Sequence, residues 1–512
     1  MTRRAATAVL AGLFFGTLAT HAVYCAHDTV PPRWDAALHL LNALEYRDLL
    51  RSGQVRSFLW GHYAYYPPLA YQLTGILHNF LGPAPWVGGA VLEGFALVLL
   101  IATYRLGRAV GGRPAALLAA AATLLLPIVT VFTRECALDV PLTALATVFF
   151  LGGLRRPFSS PGRAAVLGAV MGLGLLAKWA FAIVAAGPFV FAVVAALREP
   201  AGRRAALRRV ALALLVMAVL AGPWYGAHFR RLWNDARVNA VEVARTEGDP
   251  EPASRASLSF YPRMAVDEWF YVPLTLAVLA GAVAAARRRG TALLLLNTVV
   301  WPGWLLLTLV PNKDPRYGLP LVPVLCVLLA EGLLGPGAGR WRHTAAGAVV
   351  ALLAVQHLGA VAPRGPASRR VNICWPELRS RVYEPADPPV YFRLSGAGEG
   401  SCRSEWTLYN PYSYFGRRPR REDWRLEAMV AALPAGARVA PLPTGDVHLN
   451  PVLLDYAARR GGRALRWAAP AEATAWIWTG EQVPDVLAGA DIRGCPRFGR
   501  PDGGVATVCA RP

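Results

Sequence analysis

The chain has 512 residues, 55% of them hydrophobic and only 17% charged. An average soluble domain carries roughly 25% charge, so much of this chain does not meet water. The formal net charge is +21, but the arginines fall in short clusters between apolar runs, which points to membrane orientation and away from nucleic acid.

Met1-Thr-Arg-Arg and the apolar run that follows read as an uncleaved first helix over 5–24. From there hydropathy predicts about eleven spans, at 5–24, 86–104, 114–132, 139–154, 164–177, 181–197, 210–226, 271–286, 291–310, 317–334 and 344–361. Residues 69–81, between Pro68 and Gly82, predict a short interfacial helix. With the N-terminus cytoplasmic, the loops on that side hold Arg3 and Arg4, Arg105 to Arg113, Arg155 to Arg163, Arg198 to Arg209, Arg287 to Arg289, and Arg340 with Arg342, with almost no acid. The opposite loops, 25–68 and 227–270, mix both signs. The bias is consistent at every turn and places the protein in the cell membrane as a multi-pass chain. An odd number of spans leaves the C-terminus extracytoplasmic. The expected organisation is a transmembrane module over 1–362 and a soluble α/β domain over 363–512. The latter opens on a Pro/Arg-rich linker, with helices near 422–434 and 449–460 and strands at 437–441, 464–468 and 473–478. Four of its cysteines, Cys374, Cys402, Cys495 and Cys509, allow two disulfides with three connectivities.

Candidate chemistry collects at the extracytoplasmic ends of the spans. Pro31-Pro-Arg-Trp-Asp35 begins a predicted helix on which Asp35 and His39, four apart, share a face. A carboxylate there serves as a general base or simply as a first-turn acid favoured by the macrodipole. Thr133-Arg134-Glu135-Cys-Ala-Leu-Asp139 sets three ionisable groups at a membrane edge, where they need solvent or partners; the bland alternative is an Arg134–Asp139 salt bridge. Of the 53 basic residues only Lys178 and Lys313 are lysines, and both map to this same edge. Lysine and arginine there would hold a phosphate at headgroup level, or snorkel as anchors. Of the acids in 227–270, Asp267-Glu268, just before Trp269, lies closest to the membrane. No phosphate loop, dinucleotide fingerprint or paired-histidine zinc helix is present.

Together these segments resemble the GT-C-fold glycosyltransferases that use polyprenyl-phosphate sugars, with the protein O-mannosyltransferases and aminoarabinose transferases nearest in pattern. The likeness rests on Trp34-Asp35, Tyr66-Pro-Pro-Leu69, Arg134 to Leu142, Lys313-Asp-Pro-Arg-Tyr317 and, more weakly, Gly172 to Lys178, over about residues 5–335. It implies an α-helical polytopic GT-C-like fold. It implies Asp35 as catalytic base, with Asp139 near the same site. Lys178, Lys313 and Arg316, with Tyr317 and Arg134, would hold the donor phosphate, and His39, Tyr66 and Glu135 would contact sugar or acceptor. Two departures stand out: Ala36 follows Asp35 where many relatives have Glu, and Tyr66 stands where aminoarabinose transferases have Lys.

The expected activity is transfer of a sugar, with inversion, from a polyprenyl-phosphate donor in the bilayer to a hydroxyl of a protein, polymer or glycolipid. No cofactor is required; a divalent metal, if used, would sit at Asp35 and Asp139. The rival readings are a transporter or flippase of a lipid-linked sugar and a non-catalytic envelope assembly protein. The former would show pseudo-symmetric halves and charge at mid-depth, which this sequence lacks.

Overall fold

In the computed structural model the described residues are 2–32, 34–154, 156–198, 202–288, 290–362, 371–375, 390–393, 404–409, 418–441, 449–479, 487 and 492–510. The first half is a succession of helices: α1 (Arg3–His27), α2 (Trp34–Arg51), α3 (Leu69–Leu81), α4 (Pro85–Leu125), α5 (Pro127–Arg134), α6 (Asp139–Gly153), α7 (Pro161–Ala177) and α8 (Phe181–Leu197). They are followed by α9 (Arg203–Val238), α10 (Ala244–Glu247), α11 (Arg255–Met264), α12 (Tyr271–Arg288), α13 (Thr291–Leu295), α14 (Trp301–Leu309), α15 (Val322–Leu334) and α16 (Arg340–Val361). Among the described residues seven helical stretches are long and apolar enough to cross a membrane, and α6, α7 and α8 are shorter apolar helices beside them.

Every predicted span falls on helix. The spans expected at 86–104 and 114–132 are two antiparallel limbs within the bounds of α4: the chain turns back at Gly112, whose φ of 82° lies outside helical space, with Pro114 just beyond, so that Gly107 packs on Ala116 and Ala96 and Leu100 cluster with Ala120 and Leu124. The second limb continues past Leu126 into α5. The predicted interfacial helix is α3. Helices α12 and α15 approach closely where Gly281 meets Gly332, and a Cβ on either would collide with the other's backbone. The largest apolar core runs through α4, α6, α7, α8 and α15, with Phe132, Phe149 and Phe181 fully enclosed.

Beyond α16 lie two sheets. β1 (Val371–Trp375) pairs in parallel with β2 (Val390–Arg393) and antiparallel with β3 (Ser404–Tyr409). The second sheet has the order β5-β4-β6-β8-β7: β4 (Arg438–Pro441), β5 (Arg466–Trp467), β6 (Ala475–Thr479), β7 (Arg497–Gly499) and β8 (Val505–Ala510). β4 is parallel to β5 and β6, with α18 (Pro451–Arg460) between β4 and β5 in the chain, and β8 is antiparallel to β6. The helix expected near 422–434 is the shorter α17 (Leu426–Ala431). The sequence pattern did not mark β1, β2, β3, β7 or β8. Cys495 and Cys509 form a disulfide, while Cys402 and the side chain of Cys374 lie outside the described residues, as does most of the expected linker after Ala362.

This C-terminal part seats on the helix that begins beside Asp35. Ala37 of α2 belongs to the same apolar cluster as Leu453 and Ala457 of α18, and Tyr456 packs among Leu40, Leu44 and Leu92. The Arg459 guanidinium reaches Glu45 at 3.3 Å and Asp48 at 3.4 Å, both on α2. The extended segment after α1 is tied down as well: Thr29 N–H donates to the Arg420 carbonyl at 2.9 Å, and Arg420 N–H to Asp28 at 3.0 Å.

Candidate active site

Four helix ends meet beside α2. Asp35 occupies the first turn of α2 and Asp139 the first residue of α6, so each carboxylate faces the positive end of a helix. Lys178 caps the C-terminal end of α7, where a cation is favoured. Arg316 follows Asp314-Pro315, and Asp314 caps the turn by accepting the Arg316 backbone N–H at 2.9 Å.

These groups pair across the fold. The Arg316 guanidinium donates to Asp35 Oδ2 at 2.6 Å and to Asp314 Oδ2 at 2.8 Å. The Lys178 ammonium donates to Asp139 Oδ1 at 2.8 Å, with both residues at most 2% exposed. Asp139 therefore pairs with Lys178 and not with Arg134. The Lys178 Nζ also lies 5.2 Å from the centre of the Tyr66 ring and 5.3 Å from that of Tyr317, a cation held between two aromatic faces. The Tyr317 hydroxyl donates to Asn312 at 2.7 Å. His39, one turn after Asp35, shares a 2.9 Å hydrogen bond with the Tyr71 hydroxyl and meets the Tyr66 ring edge-on at 5.5 Å.

Burial pushes the Asp35 carboxyl up, but the Arg316 guanidinium, helped by His39 and Lys178, pulls harder and holds it below the usual carboxylate range. Asp314 goes the other way: its burial outweighs Arg316. Burial also pushes the His39 imidazole down to about 4, so it is neutral at neutral pH. Asp35 is thus an ionised acceptor whose cation comes from the far end of the helical region, just before α15.

Other expected site residues are elsewhere. The Lys313 ammonium donates to the carbonyls of Leu307 and Thr308, both at 2.9 Å, and to that of Val310. These are the open carbonyls at the end of α14, so all three donors are taken by a helix terminus. Burial lowers its pKa to about 8. Arg134 donates to the Ala360 carbonyl at 2.6 Å and stacks on Tyr24 at 4.0 Å; with Glu135 it lines a separate cavity on the other side of α2. Of Asp267-Glu268-Trp269, the indole has the clearest structural role, because its Nε1 donates to the Pro315 carbonyl at 3.0 Å and so fixes the turn that carries Arg316.

Asp314, Tyr71 and Asn312 were missed. Asp-Pro-Arg was legible as a capped turn, but only the fold shows that its carboxylate shares Arg316 with Asp35. No three His, Cys, Asp or Glu side chains converge as metal ligands among the described residues, and Asp35 and Asp139 each already face a cation.

No family model and no curated protein sequence matches the chain. Solved structures do. ArnT from Cupriavidus metallidurans in the apo state aligns with a TM-score of 0.58 at 14% identity, over 98% of this chain and 98% of that one. The same protein bound to undecaprenyl phosphate aligns with a TM-score of 0.53 at 14% identity, over 98% of this chain and 97% of that one. At such identity the likeness is one of fold, and it spans the helices and the C-terminal sheets alike. This chain has the GT-C-like polytopic fold of ArnT over nearly its whole length.

Proposed function

We propose that the protein is a membrane glycosyltransferase that moves a sugar from a polyprenyl-phosphate donor to an acceptor hydroxyl on the extracytoplasmic side. The single observation that carries this reading is the pairing of two helix-start carboxylates, Asp35 and Asp139, with two cations, Arg316 and Lys178, at one end of a fold that in ArnT binds undecaprenyl phosphate. The arginine loops lie at the opposite ends of the spans, which supports the assignment of this end as extracytoplasmic.

In this mechanism the donor phosphate takes Arg316 and Lys178 from their carboxylates, and the two cations stabilise the negative charge that grows on the phosphate as the anomeric bond breaks. Tyr66 and Tyr317 flank Lys178 and limit its access to water. Asp35, relieved of Arg316, becomes the stronger base because burial still raises its pKa and the main lowering influence has gone. It accepts the proton of the acceptor hydroxyl as that oxygen attacks the anomeric carbon opposite the leaving phosphate, which inverts the centre. His39, held by Tyr71, stays uncharged at neutral pH and serves to orient.

The test is transfer from radiolabelled polyprenyl-phosphate sugars in membranes carrying wild type or Asp35→Asn. Label leaving the lipid in wild type and staying in the variant supports the reading. No movement with any sugar, while the lipid still binds, favours transport or assembly instead.

A further inference from the structure

Between the 54–63 segment and the far end of α9 lies a cavity of about 790 Å³, within the range of roughly 300–1,000 Å³ usual for small-ligand sites. Ser57, His62 and Tyr63 line one side, and His228, Arg230 and Arg231 the other. Among the described residues four basic side chains line this cavity and no carboxylate does.

The two arginines keep their donors unspent. The Arg231 guanidinium carbon lies 4.2 Å from the centre of the Tyr63 ring, so an aromatic face holds it in place of a carboxylate. Tyr63 is itself fixed. Its hydroxyl donates to Asp235 at 2.6 Å, and its ring stacks on Trp224 with 6.4 Å between centres and 6° between planes. Neither Arg230 nor Arg231 has an ion pair or a hydrogen bond among the described residues. The nearby acids are engaged elsewhere: Asp235 with Tyr63, and Glu45 with His62 at 3.1 Å and Arg459 at 3.3 Å. His228 Nε2 donates to the Trp60 carbonyl at 3.0 Å, which ties the two walls together. In the Asp35 cluster, by contrast, each cation already meets a carboxylate.

Depth narrows the class of anion. Arg209 and Arg230 stand on the same helix, and at about 1.5 Å per residue they are about 32 Å apart along it, close to the roughly 30 Å of a hydrocarbon core. That helix is long and apolar enough to cross a membrane, so the cavity lies at headgroup level, at the end of α9 away from Arg203. Its surroundings agree. Trp60, Phe229 and Trp233 are 38%, 62% and 68% exposed, and the last two stack on each other, as aromatic side chains do at a membrane interface. Guanidinium groups without carboxylates favour phosphate oxygens. An exposed aromatic rim at the same depth favours a phosphate that carries acyl chains over the free ion, because the chains have apolar surface to cover.

We propose that this cavity binds the phosphate of an anionic phospholipid from the surrounding bilayer, with Arg230 and Arg231 as its ligands. The site is distinct from the Arg316–Lys178 cations and holds whether or not the protein transfers a sugar.

The experiment uses the full chain in phosphatidylcholine nanodiscs doped with a photoactivatable phosphatidylglycerol or, as matched control, a phosphatidylcholine carrying the same photoactivatable group. Labelled peptides are mapped by mass spectrometry. The expected result is label on residues 54–63 and 226–233, about fivefold or more above the control lipid. Arg230→Gln lowers that label, and Arg230→Gln with Arg231→Gln lowers it about tenfold or more, because each cation near the surface adds to the attraction of an anionic headgroup. Arg316→Gln leaves it as in wild type. Arg230 bonds to no described residue, so its replacement leaves the fold intact, and thermal unfolding checks that. Equal label from both lipids overturns the proposal, as does label that neither arginine variant alters, which would make these arginines membrane anchors only. Label lost in Arg316→Gln would assign the signal to the other site and overturns it too. A last arm adds inorganic phosphate at about 1 mM and constant ionic strength. Label that persists supports a lipid ligand, and label that is displaced transfers the site to a soluble phosphate and overturns the lipid assignment.

Discussion

The two faces of α2 differ in how completely the described residues satisfy their polar groups. On one face each carboxylate of Asp35 and Asp139 has its own cation, with Arg316 shared by Asp314. On the other, Asp423 and Glu427 likewise face Arg425 and Arg460, but His21 Nε2, Glu93 Oε2 and the Tyr456 hydroxyl have no hydrogen-bond partner among the described residues. The first face is complete without ligand and must open its own ion pairs to bind one. The second leaves buried polar atoms that no described residue satisfies. A phosphate can exchange with carboxylates at the first, because the cations gain a new partner as they lose the old one.

The largest expected effect comes from Asp35→Asn, which keeps the shape of the side chain and removes its basicity. Transfer should fall by about 10²- to 10⁴-fold, the usual contribution of a positioned base. Unchanged transfer would return Asp35 to a first-turn acid favoured by the helix dipole. Next is Lys178→Met, which leaves Asp139 buried without its cation and should cost about 3–5 kcal/mol in unfolding free energy. The double variant Lys178→Met with Asp139→Asn should recover most of that stability in thermal unfolding and none of the transfer. Recovery of transfer would make Lys178 a purely structural partner.

Lys313→Met should do the reverse. It strips donors from the end of α14 and should cost about 1–3 kcal/mol of stability, with the KM for the donor unchanged. A rise in KM of about tenfold or more, equivalent to about 1.4 kcal/mol, would place this lysine at the donor after all. The smallest effect is in pH. Asp35 is held below the ordinary carboxylate value of about 3.9 while Arg316 faces it, so the free protein should keep its acid limb in kcat/KM below that value. In kcat, which reports the donor complex, the limb should move up by about 1–3 units as Arg316 turns to phosphate. The same pair contributes stability above the unfolded carboxylate pKa and loses it as pH falls through the lower folded one. Coincident acid limbs in kcat and kcat/KM would show that Arg316 never leaves Asp35.

The face with the ion pairs was the more legible of the two. Asp35 and Asp139 announce themselves as first-turn acids at membrane edges, and lysine is rare enough here for Lys178 to draw notice. Lys313 drew the same notice for the same reason, and nothing local separates a lysine that meets a carboxylate from one that caps a helix. Glu93 and His21 were passed over because each is a single polar residue within an apolar run, which hydropathy averages away. Their meaning depends on α1 lying against α4.

By itself the sequence determined the apolar spans, the short α3 and the alternation of α17, β4, α18, β5 and β6, since apolar length and turn residues act within a few residues of where they are read. It also placed two carboxylates at helix starts. Tertiary structure alone decided that Arg316 answers Asp35, that Lys178 answers Asp139, that α18 clamps α2 through Arg459, and that a carboxylate-rich cavity lies behind Asp35. Those are pairings between helices distant in the chain, set by which faces pack together, and a periodicity along one helix carries no information about the helix it will meet.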